Sequence, residues 1–141
     1  MTAEFVVATH AVVLLNRDKR PLSSEEIADN VCTNPARVRK VMLKLKKAGI
    51  VETHSGFAGG YEFTANPEKV TLCDIFLATS KHAVKVAWHS GSMEKNCEIS
   101  QGMAPIMDEL FDSLDDCCRQ KLAKISIADL DRRLAQRAKP E

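Results

Sequence analysis

Aromatic side chains are scarce in this chain: one Trp, one Tyr and five Phe among 141 residues. A stacking platform of the kind that holds single-stranded RNA is therefore disfavoured. No run reaches the roughly 18–20 apolar residues of a membrane span. The apolar run at residues 5–15 follows Glu4 and contains His10, with no basic segment before it and no small-residue cleavage site after it. That pattern argues against a secretory leader and for a helix of a cytoplasmic protein. The five cysteines are odd in number and irregular in spacing, unlike a secreted disulfide framework. His10, His54, His82 and His89 lack metal-ligand spacing, and no nucleophile elbow, phosphate loop or paired-carboxylate arrangement is present. Neither an enzyme nor a metal or cofactor site is expected.

Hydrophobic residues make up 45% of the chain, enough for a core, so a disordered chain is excluded. The length fits one domain, or one domain plus an oligomerisation element. Net charge is only +1, but it is unevenly distributed. Residues 35–47 hold Arg37, Arg39, Lys40, Lys44, Lys46 and Lys47 and no acid, whereas residues 94–118 hold seven acids against Lys95 alone. A near-neutral whole with one strongly basic segment suggests contact with a polyanion through a single face.

The order of elements follows from local signals. Residues 3–16 read as an apolar helix that is deeply buried or shared with another subunit. Ser23 and Glu26 form a capping box that opens a short second helix ending near residue 32. Asn34 and Pro35 open a third helix, and Gly49 closes it. Two short helices joined by about three residues resemble a helix-turn-helix. Residues 50–54 and 61–64 are strand-like around a turn that contains Gly56, Gly59 and Gly60, which makes a hairpin, or wing, behind the helix pair. Thr71 with Asp74 caps a fourth helix over 72–79, and Ser126 with Asp129 caps a last one over 127–137. Residues 80–102 have no clear period, and a long helix is expected from about residue 104 to 124. The implied organisation is a DNA-binding winged helix-turn-helix at 1–79, an irregular loop at 80–102 and dimerisation helices at 103–141.

The third helix carries the functional signal. Val38, Val41, Met42 and Leu45 fall within about 100° of arc, one apolar stripe that must pack on the first two helices. The opposite face holds Arg39, Lys40, Lys44, Lys46 and Lys47, with only Ala36 and Leu43 among them. An ordinary solvated helix mixes charges of both signs; this face has no acid, belongs to the second helix of a tight pair and is followed by a glycine-rich hairpin. Double-stranded DNA is the expected partner. Arg37, Arg39, Lys40, Lys44 and Lys47 would supply phosphate and base contacts, Asn34 and Arg37 lie at the helix start that reaches base edges, and Ala36 and Leu43 suit thymine methyls. In the wing, Ser55, Gly56, Gly59 and Gly60 would let backbone approach phosphate or let the tip enter the minor groove; the glycines serve a tight turn equally well.

These residues resemble the Rrf-two family of bacterial winged-helix transcription regulators, which includes regulators of iron–sulfur cluster biogenesis and of cysteine metabolism. The similarity runs through residues 22–76. Its most specific parts are Ala48-Gly49-Ile50-Val51, then Gly59-Gly60-Tyr61, Pro67 and Thr71-Leu72-Cys73-Asp74-Ile75. The resemblance implies a mainly α fold with a small β-hairpin. It implies a homodimer that represses or activates at a two-fold operator, with residues 35–48 as recognition helix and the long helix as dimer element. Two positions depart from the family pattern. Ser55 stands where members often carry Arg in the wing, and Cys97 is alone where cluster-bearing members have three close cysteines, which places this chain with the subgroup that lacks the iron–sulfur motif.

Among the other cysteines, Cys32 and Cys73 are expected in the core. Cys117 and Cys118 lie on a seam with Met103, Met107, Leu110 and Leu114 that faces a partner helix. Cys97, beside Lys95, is the candidate redox thiol. The expected function is a homodimeric, sequence-specific repressor. Its rival is a winged-helix assembly module without DNA binding, although such modules usually lose the cationic helix. The sequence specifies no effector.

Overall fold

The computed structural model describes residues 1–138. Six helices and one hairpin follow in order: α1 (Ala3–Asp18), α2 (Ser24–Val31), α3 (Pro35–Lys47), β1 (Glu52–His54), β2 (Gly60–Glu62), α4 (Leu72–Thr79), α5 (Glu98–Leu122) and α6 (Ile127–Arg137). The helix starts have local causes. Ser23 Oγ accepts from the Glu26 amide at 3.1 Å and Glu26 bonds back to the Ser23 amide. Thr71 with Asp74 and Ser126 with Asp129 close the same reciprocal box. Beyond α3, Gly49 sits at φ 76°, the left-handed turn that ends the helix.

The core forms where α1 to α4 converge. Ala8, Ala11, Val12 and Leu15 of α1 are fully buried, and Ile27, the apolar stripe of α3 and Ile75 of α4 close on them. Phe76 is buried as well, and its ring meets Phe5 edge-on with centroids 6.2 Å apart. Each of the larger side chains among these, from Val to Phe, contributes about 1.5–3 kcal/mol by leaving water.

Three features differ from the sequence-based expectation. The long helix begins at Glu98, about six residues early, so the irregular loop ends at Cys97 and Gly102 and Pro105 lie inside α5. Both residues look like helix-start signals, but the first turn of α5 is held from outside. The Ser92 amide donates to the Ser100 carbonyl at 3.0 Å, and the Gln101 side-chain amide donates to the Lys95 carbonyl at 2.7 Å. The last helix docks on the winged-helix body. The Leu72 amide donates to Ile125, the Ile127 amide to Val70, and Arg17 pairs with Asp131 at 2.7 Å. Finally, Cys32 is exposed instead of buried, because it caps α2 in the left-handed region (φ 63°) and so turns outward.

α5 meets this body through a polar clamp. Asp115 is buried and accepts from the Ala83 and Val84 amides, with Arg119 at 3.0 Å. Burial raises its pKa, but those amides and Arg119 outweigh the effect and hold it below the ordinary aspartate range. No described helix is long and apolar enough to cross a membrane.

Candidate nucleic-acid interface

Three residues join α2 to α3. The Thr33 amide returns to the Ala28 carbonyl at 3.0 Å, and Asn34 Oδ1 accepts from the Arg37 amide at 2.8 Å. Asn34 therefore spends its side-chain oxygen on capping the helix. The stripe Val38, Val41, Met42 and Leu45 is at 0% exposure, which fixes the rotation of α3 about its axis. The opposite face consequently looks into solvent: Ala36, Arg37, Arg39, Lys40 and Lys47 are exposed, Lys44 is half-buried, and Leu43 is 53% exposed among them.

In space, this face is not purely cationic. Glu4 of α1 reaches Lys40 Nζ at 3.1 Å and also pairs with Lys44. The hydrogen bond from Lys44, then that from Lys40, holds the Glu4 carboxyl below the ordinary glutamate range. Arg39 bonds Ser24 Oγ at 3.1 Å and lies 3.6 Å from Glu25. Arg37, Lys46 and Lys47 have no acidic partner within ion-pair distance among the described residues. Helix periodicity could not reveal this, because the acids come from other elements.

The wing is a two-stranded antiparallel ribbon with Glu52 opposite Glu62, Thr53 opposite Tyr61 and His54 opposite Gly60. Tyr61 also exchanges two backbone hydrogen bonds with Leu22, at 2.8 and 2.9 Å. Gly60 is needed there, since a Cβ would stand 2.3 Å from the Leu22 carbonyl oxygen. Ser55 and Gly56 are exposed at the turn, whereas Gly59 and Gly60 are half-buried against it. Residues 52–62 contain no Lys or Arg. Phe57, between Gly56 and Gly59, is fully exposed at the tip. The available signal was a large apolar residue in a turn that polar residues usually fill.

Cys97 is exposed at the N-cap of α5 and its side chain makes no capping bond. Cys117 is exposed and Cys118 half-buried, while burial pushes the half-buried Cys73 thiol up. Among the described residues, the one group of three or more potential metal donors that converges is Glu52, His54 and Glu62, with His54 Nε2 3.0 Å from Glu62. It contains no cysteine. Within one chain, the cysteines do not fit the four-ligand requirement of an iron–sulfur cluster.

A family model, Rrf2, described as iron-dependent transcriptional regulator, matches residues 1–133. This chain belongs to the Rrf2 family. It is 31% identical over 130 residues to YwnA of Bacillus subtilis, described as an HTH-type transcriptional regulator, covering 92% of this chain and 96% of that protein. The crystal structure of a transcriptional regulator from Lactobacillus plantarum superposes with a TM-score of 0.85 at 25% identity, covering 96% of this chain and 91% of that one. CymR, the global cysteine regulator of B. subtilis, shares the fold at a TM-score of 0.70 and 18% identity, covering 94% of this chain and 96% of that one. The Rrf2 protein described here is a transcription regulator with a DNA-binding winged-helix fold, not an enzyme.

Proposed function

We propose that this Rrf2 protein is a sequence-specific repressor that acts in the cytoplasm as a homodimer on double-stranded DNA, with α3 in the major groove. The observation that carries the reading is the rotation of α3: a fully buried apolar stripe holds Arg37, Lys46 and Lys47 outward, with no acidic partner among the described residues. Arg37 lies at the helix start, where side chains reach base edges, and Arg39, Lys40, Lys44 and Lys47 follow the backbone phosphates. Ala36 and Leu43 supply apolar contact to thymine methyls. Dimerisation through α5 is supported by Ile106, Leu110 and Leu114, which are 59%, 47% and 41% exposed along one helix. Two copies of α3 would sit about 34–36 Å apart, or a multiple of that. No cofactor is assigned, and Cys97, exposed like Cys32 and Cys117, is the candidate redox thiol.

The test is fluorescence anisotropy on a duplex enriched from a random pool by the wild-type protein. The expected outcome is a steep fall of affinity with salt. Arg37→Ala should bind about tenfold more weakly, with a log–log salt slope shallower by about one. A wild-type protein that enriches no duplex, or an Arg37→Ala variant with unchanged affinity and slope, overturns the proposal.

A further inference from the structure

The wing tip presents a contact that the cationic face does not explain. Phe57 is at 110% relative exposure, more open than any other large apolar side chain among the described residues. The turn that carries it is closed by the Gly59 amide on the Gly56 carbonyl at 3.1 Å, with Gly56 at φ 96°. Phe57 thus projects at the apex, beyond the last ribbon pair, His54 and Gly60. The stem below it is fixed to the body by the Leu22–Tyr61 bridge.

The charge of the hairpin limits what this ring can meet. Residues 52–62 contain no Lys or Arg, Glu52 and Glu62 stand on the stem, and the one imidazole, His54, is engaged with Glu62. A wing that approaches DNA in this state has only neutral donors, the Thr53 and Ser55 hydroxyls and the turn amides, to offer phosphate; the further gain available to it is desolvation of an apolar surface. The minor groove offers that surface, because its walls are sugar and its floor is base edge, and apolar side chains enter it as wedges between base steps. A second copy of the chain is a poorer occupant, since a lone ring beside Ala58 does not make a patch of the size that self-association uses.

We propose that Phe57 is an apolar anchor that enters the minor groove flanking the α3 site, and that it selects deformable pyrimidine–purine steps there. The proposal rests on the DNA-binding reading above. A ring releases no counterions, so its contribution is independent of salt, unlike that of Arg37. It also depends on how easily the flanking step opens, and TA steps open most readily.

The experiment compares wild type, Phe57→Ala, Phe57→Leu and Arg37→Ala on the enriched duplex, with the flanking step set to TA or to GC. Phe57→Ala should bind the TA duplex about tenfold more weakly. Its salt slope should equal that of wild type, and it should lose the TA-over-GC preference. Phe57→Leu should retain most of the affinity. Both Phe57 variants should melt at the wild-type temperature, because the ring touches nothing in the free protein. If wild type binds and Arg37→Ala weakens it, while Phe57→Ala keeps the wild-type affinity and flank preference, the wing-tip assignment falls alone. If Phe57→Ala flattens the salt slope, the contact is electrostatic and the assignment also falls. If wild type binds no duplex, this proposal falls together with the DNA-binding reading.

Discussion

α3 and α5 are both amphipathic, but only one of them is completed within the chain. The apolar stripe of α3, Val38, Val41, Met42 and Leu45, is wholly buried by α1, α2 and α4, and what remains exposed is cationic apart from Ala36 and Leu43. α5 is nearly twice as long, yet its one buried residue is Asp115, a carboxylate, while Ile99, Ile106, Leu110 and Leu114 stay exposed and Met107, Phe111 and Leu122 are only half-buried. A helix of 25 residues that docks by a carboxylate clamp has not finished burying its apolar surface. The winged-helix half therefore closes its core within the chain, with Ile127 of α6 included, whereas the long helix leaves an apolar face uncovered.

The largest expected effect lies on the completed side of that contrast. Leu45→Ala opens a cavity in a fully enclosed position and should cost about 2–5 kcal/mol in urea unfolding; a cost below about 1 kcal/mol would mean that α3 is not locked into the core. Next comes the unfinished side. Leu110→Glu combined with Leu114→Glu should weaken self-association at least about 100-fold in sedimentation, with helical content unchanged. A double variant that still sediments as wild type, or that unfolds, would remove the contrast. The smallest effect is one of pH and concerns α6, the helix that returns to the completed half. The Ser126 amide, then Arg132, holds the Asp129 carboxyl down at about 2. A depressed pKa contributes stability above the ordinary value of 3.8 that is lost as pH falls through about 2. Asp129→Asn should therefore melt with a flatter pH profile between about 4 and 2 than wild type, and superimposable profiles would count against the capping role.

The parts of this molecule that were legible in the sequence are those whose causes lie within a few residues. The bounds of α4 and α6 and the start of α3 were read directly, because Thr71 and Asp74, Ser126 and Asp129, and Asn34 and Pro35 do their work over one turn. The buried stripe of α3 was readable from period alone. The start of α5 was not, because Gly102 and Pro105 carry the local signal and the loop bonds from Ser92 and Gln101 override it. Glu4 stood outside any reading of α3, since only the fold brings it to Lys40 and Lys44. The seam on α5 was legible as a pattern, and within the described residues nothing covers Ile106, Leu110 and Leu114.

The Leu22–Tyr61 bridge has a kinetic consequence. A two-stranded hairpin alone is marginal in water, and this one gains a third strand-like edge from the residue just before the α2 capping box. The ribbon stem is thereby pinned to the same body as α3, which leaves only the turn at residues 55–59 free to adjust. If wing and α3 both engage a duplex as proposed, arrival would cost little ordering entropy, because the two are already set relative to each other. Departure would likewise be concerted, since neither element could release while the other holds without bending that bridge. Such coupling would lengthen residence on the duplex without adding a single contact.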